Sequence, residues 1–286
     1  LMLENFDFKY DKQYQVSLKA ALKELKRVQK ISGSEGWEQL LFAGVIGVDA
    51  IHSMRKEKYI QALSRAFEAM EHISAAKKAA PNFPDLRLAD GMYAYWRSII
   101  TLSIKGLPDY GDDRLSGIKD MEYVRDNGVF LAAPASLGLT YTWLEEKRHK
   151  RAIKEGERNR TAYPDNVINN LVVARSYIKI KKYNLAIEIL EHIEQVDTKN
   201  DRAHYYKAVA LSRARRWDDA LASLQRYLKA PHLEKNHEAA AQYRIGRIYM
   251  NRKEYKAAES AFYRAVKLTK HTGSKKALKS VRKKMQ

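Results

Sequence analysis

The stretch Tyr255-Lys256-Ala257-Ala258-Glu259-Ser260-Ala261-Phe262-Tyr263-Arg264-Ala265 decides the fold of this chain. Tyr255, Ala258, Phe262 and Ala265 recur at steps of three and four, which places them on one face of a helix. Twelve residues before Ala258 stands Gly246, followed by Tyr249. The same offsets return upstream. Around Ala220 they give Ala208, Leu211, Trp217 and Leu224, and around Ala186 they give Ala174, Tyr177, Tyr183 and Leu190. Around Ala152 they give Thr140, Trp143, His149 and Gly156, a degenerate copy followed by Pro164. The steps between the four alanines are 34, 34 and 38 residues. Small residues at the Gly246 and Ala258 positions let two helices approach closely, and larger neighbours fill the space around the contact. Each copy therefore reads as a helical hairpin, and hairpins of fixed period stack into a solenoid.

This phased set resembles the tetratricopeptide-repeat family over roughly residues 133–286. The resemblance implies an all-α, right-handed superhelical solenoid of antiparallel helix pairs. Its units fall at about 133–166, 167–200, 201–238 and 239–272, within a repeat region 131–272. The 38-residue step departs from the family period. Its four extra residues are expected in the connection Pro231-His232-Leu233-Glu234-Lys235-Asn236. Residues 273–286 carry Ala277, Leu278, Val281 and Met285 at helical spacing and read as a basic capping helix, with Lys275, Lys276, Lys279, Arg282, Lys283 and Lys284 toward solvent.

Residues 1–130 read as helical throughout. Tyr14, Leu18, Leu22, Leu25 and Val28 mark an amphipathic helix over Asp11–Ile31, broken by Ser32-Gly33-Ser34-Glu35-Gly36. Trp37–Met54 and Lys58–Ala80 form a hairpin whose second helix repeats the small-residue offsets at Tyr59, Ala62, Ala66 and Ala69. Pro81 and Pro84 end it. Helices over Asp85–Ile104 and Asp113–Asp126 follow, joined by Lys105–Gly111; Asp112 or Asp113 caps the second, and Asn127-Gly128 stops it. The run from Asp90-Gly91 through Tyr93, Tyr95, Trp96 and Leu107-Pro108 to Asp113-Arg114 and Gly117-Ile118 is similar to a group of bacterial, envelope-associated tetratricopeptide proteins. That group is distantly like the eukaryotic tetratricopeptide-39 proteins, and the resemblance covers about residues 36–165. It implies that residues 36–130, within the helical region 1–130, are divergent repeat hairpins of the same solenoid; a separate N-terminal domain is the alternative.

Composition narrows the function. There is no cysteine, which excludes disulfides, thiolate nucleophiles and cysteine-held zinc. The longest apolar run, Leu40–Val48, is far shorter than a membrane span. The opening Leu1-Met2-Leu3-Glu4-Asn5 does not look like a native start, so a targeting segment is expected to precede it. A periplasmic or outer-membrane-associated location is expected from the lack of cysteine and the envelope resemblance; a cytoplasmic one is the alternative. The net charge of +19 is unevenly placed: residues 1–130 hold 19 basic and 18 acidic side chains, residues 131–286 hold 34 and 16. A field of one sign draws anionic partners.

No phosphate-binding glycine loop, metal-ligand pair or nucleophile elbow is present, so no catalytic residue, cofactor or metal is assigned. His232 and His237, beside Glu234 and Glu238, read as a solvated loop, and Asp112-Asp113 as capping groups.

In the family the first helix of each unit lines a concave groove. By that resemblance the first unit offers Tyr141, the second Arg175 and Lys179, the third Arg202, Tyr205, Tyr206 and Arg213, and the fourth Tyr243, Arg244, Arg247 and Asn251. Arginine forks suit carboxylates and phosphates, and tyrosines add amphipathic contact area. Arg244 fits one position of the chaperone-binding members' carboxylate clamp, but Ile168 and Leu171 stand where that clamp is polar. The expected function is a non-enzymatic scaffold that binds an acidic protein or peptide in this groove. The alternative is a polyanion-binding module for nucleic acid or an anionic envelope polymer. Self-association through stacked solenoid ends is a further expectation.

Overall fold

The computed structural model describes residues 8, 10–32, 37–104, 106–108, 110–230, 233–269 and 272–285. Parts of several sequence expectations lie outside the described residues: the chain start, the break at Gly33–Gly36, Lys105 and Asp109 of the first long loop, and Pro231-His232. The described residues form helices and connections, and they divide into two compact units: Asp11–Lys147, and Arg148–Gln286 together with Phe8 and Tyr10.

The first unit, Asp11–Lys147, contains α1 (Asp11–Ser32), α2 (Trp37–Arg55), α3 (Tyr59–Ala79), α4 (Leu86–Ser103), α5 (Arg114–Asn127) and α6 (Ala132–Glu145). Helices α2 and α3 form one hairpin and α4 and α5 another, with α1 on α2 and α6 on α5. Phe42, Ile46 and Ala69 pack under Leu22 and Leu25 of α1. Ala43, Ile73, Ala76 and Leu86 join α2, α3 and the start of α4. The α4/α5 crossing depends on two glycines from the stretch that carried the N-terminal resemblance. A Cβ on Gly91 would lie 2.7 Å from the Gly117 carbonyl oxygen, and one on Gly117 would lie 2.5 Å from that of Gly91. The two backbones touch there, and no other residue fits without a shift.

At the start of α5, Asp112 accepts the Arg114 backbone N–H and grips its guanidinium at 2.7 Å. Asp113 instead pairs with Arg97 of α4. Asp85, 1 % exposed, accepts three backbone N–H groups, from Val129, Phe130 and Leu131, and so ties the α5–α6 connection to the start of α4.

The second unit, Arg148–Gln286, contains α7 (His149–Ala162), α8 (Val167–Lys179), α9 (Tyr183–Val196), α10 (Asp201–Arg213), α11 (Trp217–Leu228), α12 (Lys235–Asn251), α13 (Tyr255–Leu268) and α14 (Thr272–Met285). The pairs α8/α9, α10/α11 and α12/α13 are hairpins, and α10 touches both α8 and α12. The phase-setting Ala152, Ala186, Ala220 and Ala258 are all 0 % exposed. At the last hairpin a Cβ on Gly246 would lie 2.6 Å from the Phe262 ring, the close approach that the Gly246–Ala258 offset anticipates. Helix α14 buries Val281 against Ala258 and Phe262 and lays Ala277 and Leu278 beside them, while Met285 is exposed.

The 38-residue step is taken up differently from the sequence expectation. Lys235 and Asn236 are helical, and α12 begins four residues before Ala239, the counterpart of the first residues of α8 and α10. The extra residues mostly lengthen a helix instead of a loop, because Lys235-Asn236-His237-Glu238 contains no helix breaker.

The hairpin turns share a device that carries no glycine. Glu57, Lys181, Arg215 and Lys253 adopt positive φ of 59–65°. In each case the next residue's N–H reaches back to a carbonyl five residues earlier: Lys58 to Ser53, Lys182 to Tyr177, Arg216 to Leu211 and Glu254 to Tyr249, at 2.9–3.0 Å. These are Schellman stops, which satisfy the last carbonyls of the helix. Lys147 holds the same φ region, at 57°. The recurrence of the stop at Glu57 shows that the α2/α3 hairpin turns as the later repeats do. Helices α8 and α10 start alike as well: the Asn166 and Asn200 side chains accept the backbone N–H of Asn169 and Ala203.

Candidate ligand-binding face

The residues assigned to a groove in the second unit come from α8, α10 and α12, the first helices of three hairpins. Arg175 and Lys179 are one turn apart on α8. On α12 Tyr243, Arg247 and Asn251 stand at successive four-residue steps, with Arg244 alongside. Helix α10 lies between them and supplies Tyr205 and Tyr206.

Four of these side chains form a continuous run across the three helices. The Arg175 guanidinium lies 5.4 Å from the Tyr206 ring centroid. Tyr206 meets Tyr205 edge-on, with centroids 5.4 Å apart. Arg244 of α12 donates from Nε to the Tyr205 Oη at 2.7 Å, with its guanidinium carbon 4.9 Å from that ring's centroid. Stacking an arginine on an aromatic face leaves other guanidinium N–H groups free to meet an anion, and the ring holds the fork in place.

The run rests on the core. Tyr227 of α11 is fully buried 5.1 Å from Tyr205, and burial pushes its hydroxyl well above the ordinary tyrosine range. Sequence spacing did not mark Tyr227 as a support. Its position in α11, facing a tyrosine of α10, is a tertiary fact.

Other predicted residues fall differently. Arg202 is only 7 % exposed, beside Asp201 and Tyr227, and is part of the packed start of α10 instead of an open wall. Its burial follows from its place in the first turn of α10, where the preceding hairpin packs against it. Tyr243 is half-buried, 5.7 Å from the Phe262 ring, and accepts a 3.4 Å hydrogen bond from Arg247. Lys179, Arg213, Arg247 and Asn251 are exposed near the C-terminal ends of their helices. Burial and the Lys179 charge together hold the His149 ring below its ordinary value. Tyr141 is half-buried on α6 and belongs to the first unit.

Among the described residues no carboxylate is paired with Arg175, Lys179, Arg213, Arg244 or Arg247. Some cations elsewhere on the unit are paired. Arg160 holds Glu157, Arg216 holds Asp219, Arg252 holds Asp218 and Glu254, and Arg282 holds Glu259. Lys207, also on α10, is held by Glu191 and Glu194.

Residues 239–272 match the family model described as tetratricopeptide repeat. Those residues carry a tetratricopeptide repeat. Solved structures agree with the fold. PilF of Pseudomonas aeruginosa superposes with a TM-score of 0.59 at 12% identity, over 83% of this chain and 96% of that one. A double mutant of MamA RS-1 gives 0.51 at 15% identity, over 64% and 94%. A thermophilic tetratricopeptide-repeat protein of Thermus thermophilus gives 0.50 at 14% identity, over 67% and 98%. The search of curated proteins finds no match. At these identities the likeness is one of fold, and the tetratricopeptide-repeat fold suggests a protein-interaction scaffold.

Proposed function

We propose that the second unit is a non-enzymatic binding module whose inner helices take an acidic protein or peptide segment. One observation carries this reading. Five cations lack carboxylate partners among the described residues and come from α8, α10 and α12, the first helices of three successive hairpins. A cation that is not neutralised within the chain keeps its field for a ligand, and the Arg175–Tyr206–Tyr205–Arg244 run presents two of the five in fixed positions. A cell-envelope location is part of the same proposal. The lack of cysteine favours it, and fractionation of cells expressing the tagged protein tests it.

The decisive experiment compares the wild type with the Arg175/Arg213/Arg244/Arg247→Ala variant. Immobilised acidic peptides should lose binding to the variant by at least tenfold, with the circular dichroism spectrum unchanged. Equal retention by both proteins would remove this face as the site. The surplus of 34 basic over 16 acidic residues in 131–286 favours a second reading, a polyanion site. Salt decides between the two. Binding of random-sequence DNA that falls about 10³–10⁵-fold between 50 and 200 mM salt marks a polyanion binder. Weak DNA binding alongside sequence-dependent peptide binding marks the scaffold.

A further inference from the structure

Two pairs of helical glycines in the first unit stand in contrast. Gly91 and Gly117 are demanded by backbone contact. Gly44 and Gly47, in the middle of α2, are not: a Cβ on either would meet nothing within 4 Å. A glycine inside a helix lowers its stability relative to alanine. At Gly44 and Gly47 nothing among the described residues uses the space that this loss leaves open.

That space belongs to a cavity of about 710 Å³ walled by α2, α3, α4 and the Phe130–Pro134 segment. It follows α2 from Leu40 to Met54, about 21 Å at 1.5 Å per residue. Its walls are aliphatic and aromatic, with Trp96 and Met92 of α4 facing α2. The charged side chains in the lining are Asp85 and Arg97. Both Asp85 oxygens are taken by backbone N–H groups. Arg97 is different. Its side chain is 15 % exposed, Nη2 pairs with Asp113, and the guanidinium lies 5.4 Å from the Tyr93 and Tyr110 ring centroids, but Nε has no acceptor among the described residues. A buried N–H without an acceptor is costly, and an anion placed there would satisfy it.

We infer that this cavity binds a single-chain amphiphile: a long-chain carboxylate, with its alkyl chain along α2 and its head at Arg97. The dimensions agree. A cavity of about 150 Å³ holds the six carbons of benzene, so on that scale the space takes roughly 28 carbons. An extended chain advances about 1.2 Å per bond, so roughly 17 bonds span the length of the α2 wall. An extended peptide would bring a backbone donor and acceptor at every residue to walls that cannot answer them. A helix of 10–12 Å diameter following the same wall would displace roughly 1,600–2,400 Å³, so most of it would stand outside the cavity. The inference concerns the first unit and is independent of the binding face proposed for the second.

The test is a titration of the full chain with palmitate, with a bromine-labelled palmitate reporting contact by quenching of Trp96; Trp96→Phe serves as the control. Saturable binding at one site is expected, weakening about fourfold for each methylene removed from the probe. Gly44→Leu/Gly47→Leu fills the cavity from a helix that gains propensity, so the fold should survive and binding should fall by at least tenfold. Arg97→Gln should erase the preference for palmitate over the neutral hexadecanol while leaving hexadecanol binding in place. If palmitate fails to saturate, if the leucine variant binds it as well as the wild type, or if an apolar helical peptide takes the same cavity more tightly than palmitate, the inference is wrong.

Discussion

Arg244 donates its Nε–H to the hydroxyl of Tyr205 at 2.7 Å and lies over the same ring, so one guanidinium joins α12 to α10 both through a hydrogen bond and through the ring face. Such a bond is worth about 0.5–1.5 kcal/mol net, and the ring contact about 0.5–1 kcal/mol where partly exposed. Tyr205→Phe keeps the ring and removes the hydroxyl, and Arg244→Ala removes both contacts. A double-mutant cycle followed by urea unfolding should show the Arg244→Ala loss, about 1 kcal/mol, shrinking in the Tyr205→Phe background. Additive losses would mean that the two residues do not hold each other.

Gly246 and Phe262 test the hairpin crossing. A methyl group at Gly246 would sit 2.6 Å from the Phe262 ring, inside any tolerable contact. Gly246→Ala should therefore destabilise the second unit by about 1–3 kcal/mol, despite the better helix propensity of alanine. Phe262→Leu frees part of that space, so the double variant should be closer to Phe262→Leu alone than additivity predicts. Thermal melts of the four proteins decide it.

Lys181 and Arg215 end their helices at positive φ, a region that costs a non-glycine residue of order 1–3 kcal/mol. Glycine removes that strain but adds freedom to the unfolded chain, about 0.4–1 kcal/mol. Lys181→Gly and Arg215→Gly should each stabilise the protein by roughly 0.5–1 kcal/mol, and the two should add, since they lie in different hairpins. A fall in melting temperature for either would show that the lysine or arginine side chain contributes something the turn geometry does not reveal.

Glu194 gives the pH dependence a sign. Burial alone would raise its carboxyl, but hydrogen bonds from His204 and Lys207 outweigh burial and hold it below its ordinary value of 4.5. The folded value is thus lower than the unfolded one. The stabilisation is full above the unfolded value, and it is lost as the pH falls through 4.5 toward the folded value. Urea midpoints measured from pH 6 to pH 3 should drop more steeply for wild type than for Glu194→Gln, whose midpoint is lower at pH 6 and flatter below.

Much of the second unit was legible because its signal is local and repeated. Ala152, Ala186, Ala220 and Ala258 recur in phase, and each is the small residue at a helix crossing, so spacing alone located the contact. The hairpin turns were not legible. Their stops use Glu57, Lys181, Arg215 and Lys253 where glycine is the usual sign, so the backbone conformation leaves no mark in residue type. The 38-residue step was placed at the right junction but assigned to a loop, because the spacing of alanines counts residues without saying whether they are helical.

The candidate face shows the same division. Which helices supply it followed from the repeat, since the first helix of each hairpin has a fixed phase. Arg202 and Arg175 have the same residue type and both belong to first helices, yet one is buried at the start of α10 and the other lies on the Tyr206 ring. The difference depends on what the neighbouring hairpin places beside each.

By itself, the amino-acid order determined the all-α class, the hairpin period and the positions of the tight crossings, because these rest on side-chain size at short and regular separations. Only the tertiary structure decided which cations go unpaired, which tyrosines hold them, and that Gly44 and Gly47 face open space while Gly91, Gly117 and Gly246 face backbone or ring. Those outcomes depend on contacts between residues tens of positions apart, where the repeat fixes the helices and the packing of their particular side chains fixes the chemistry.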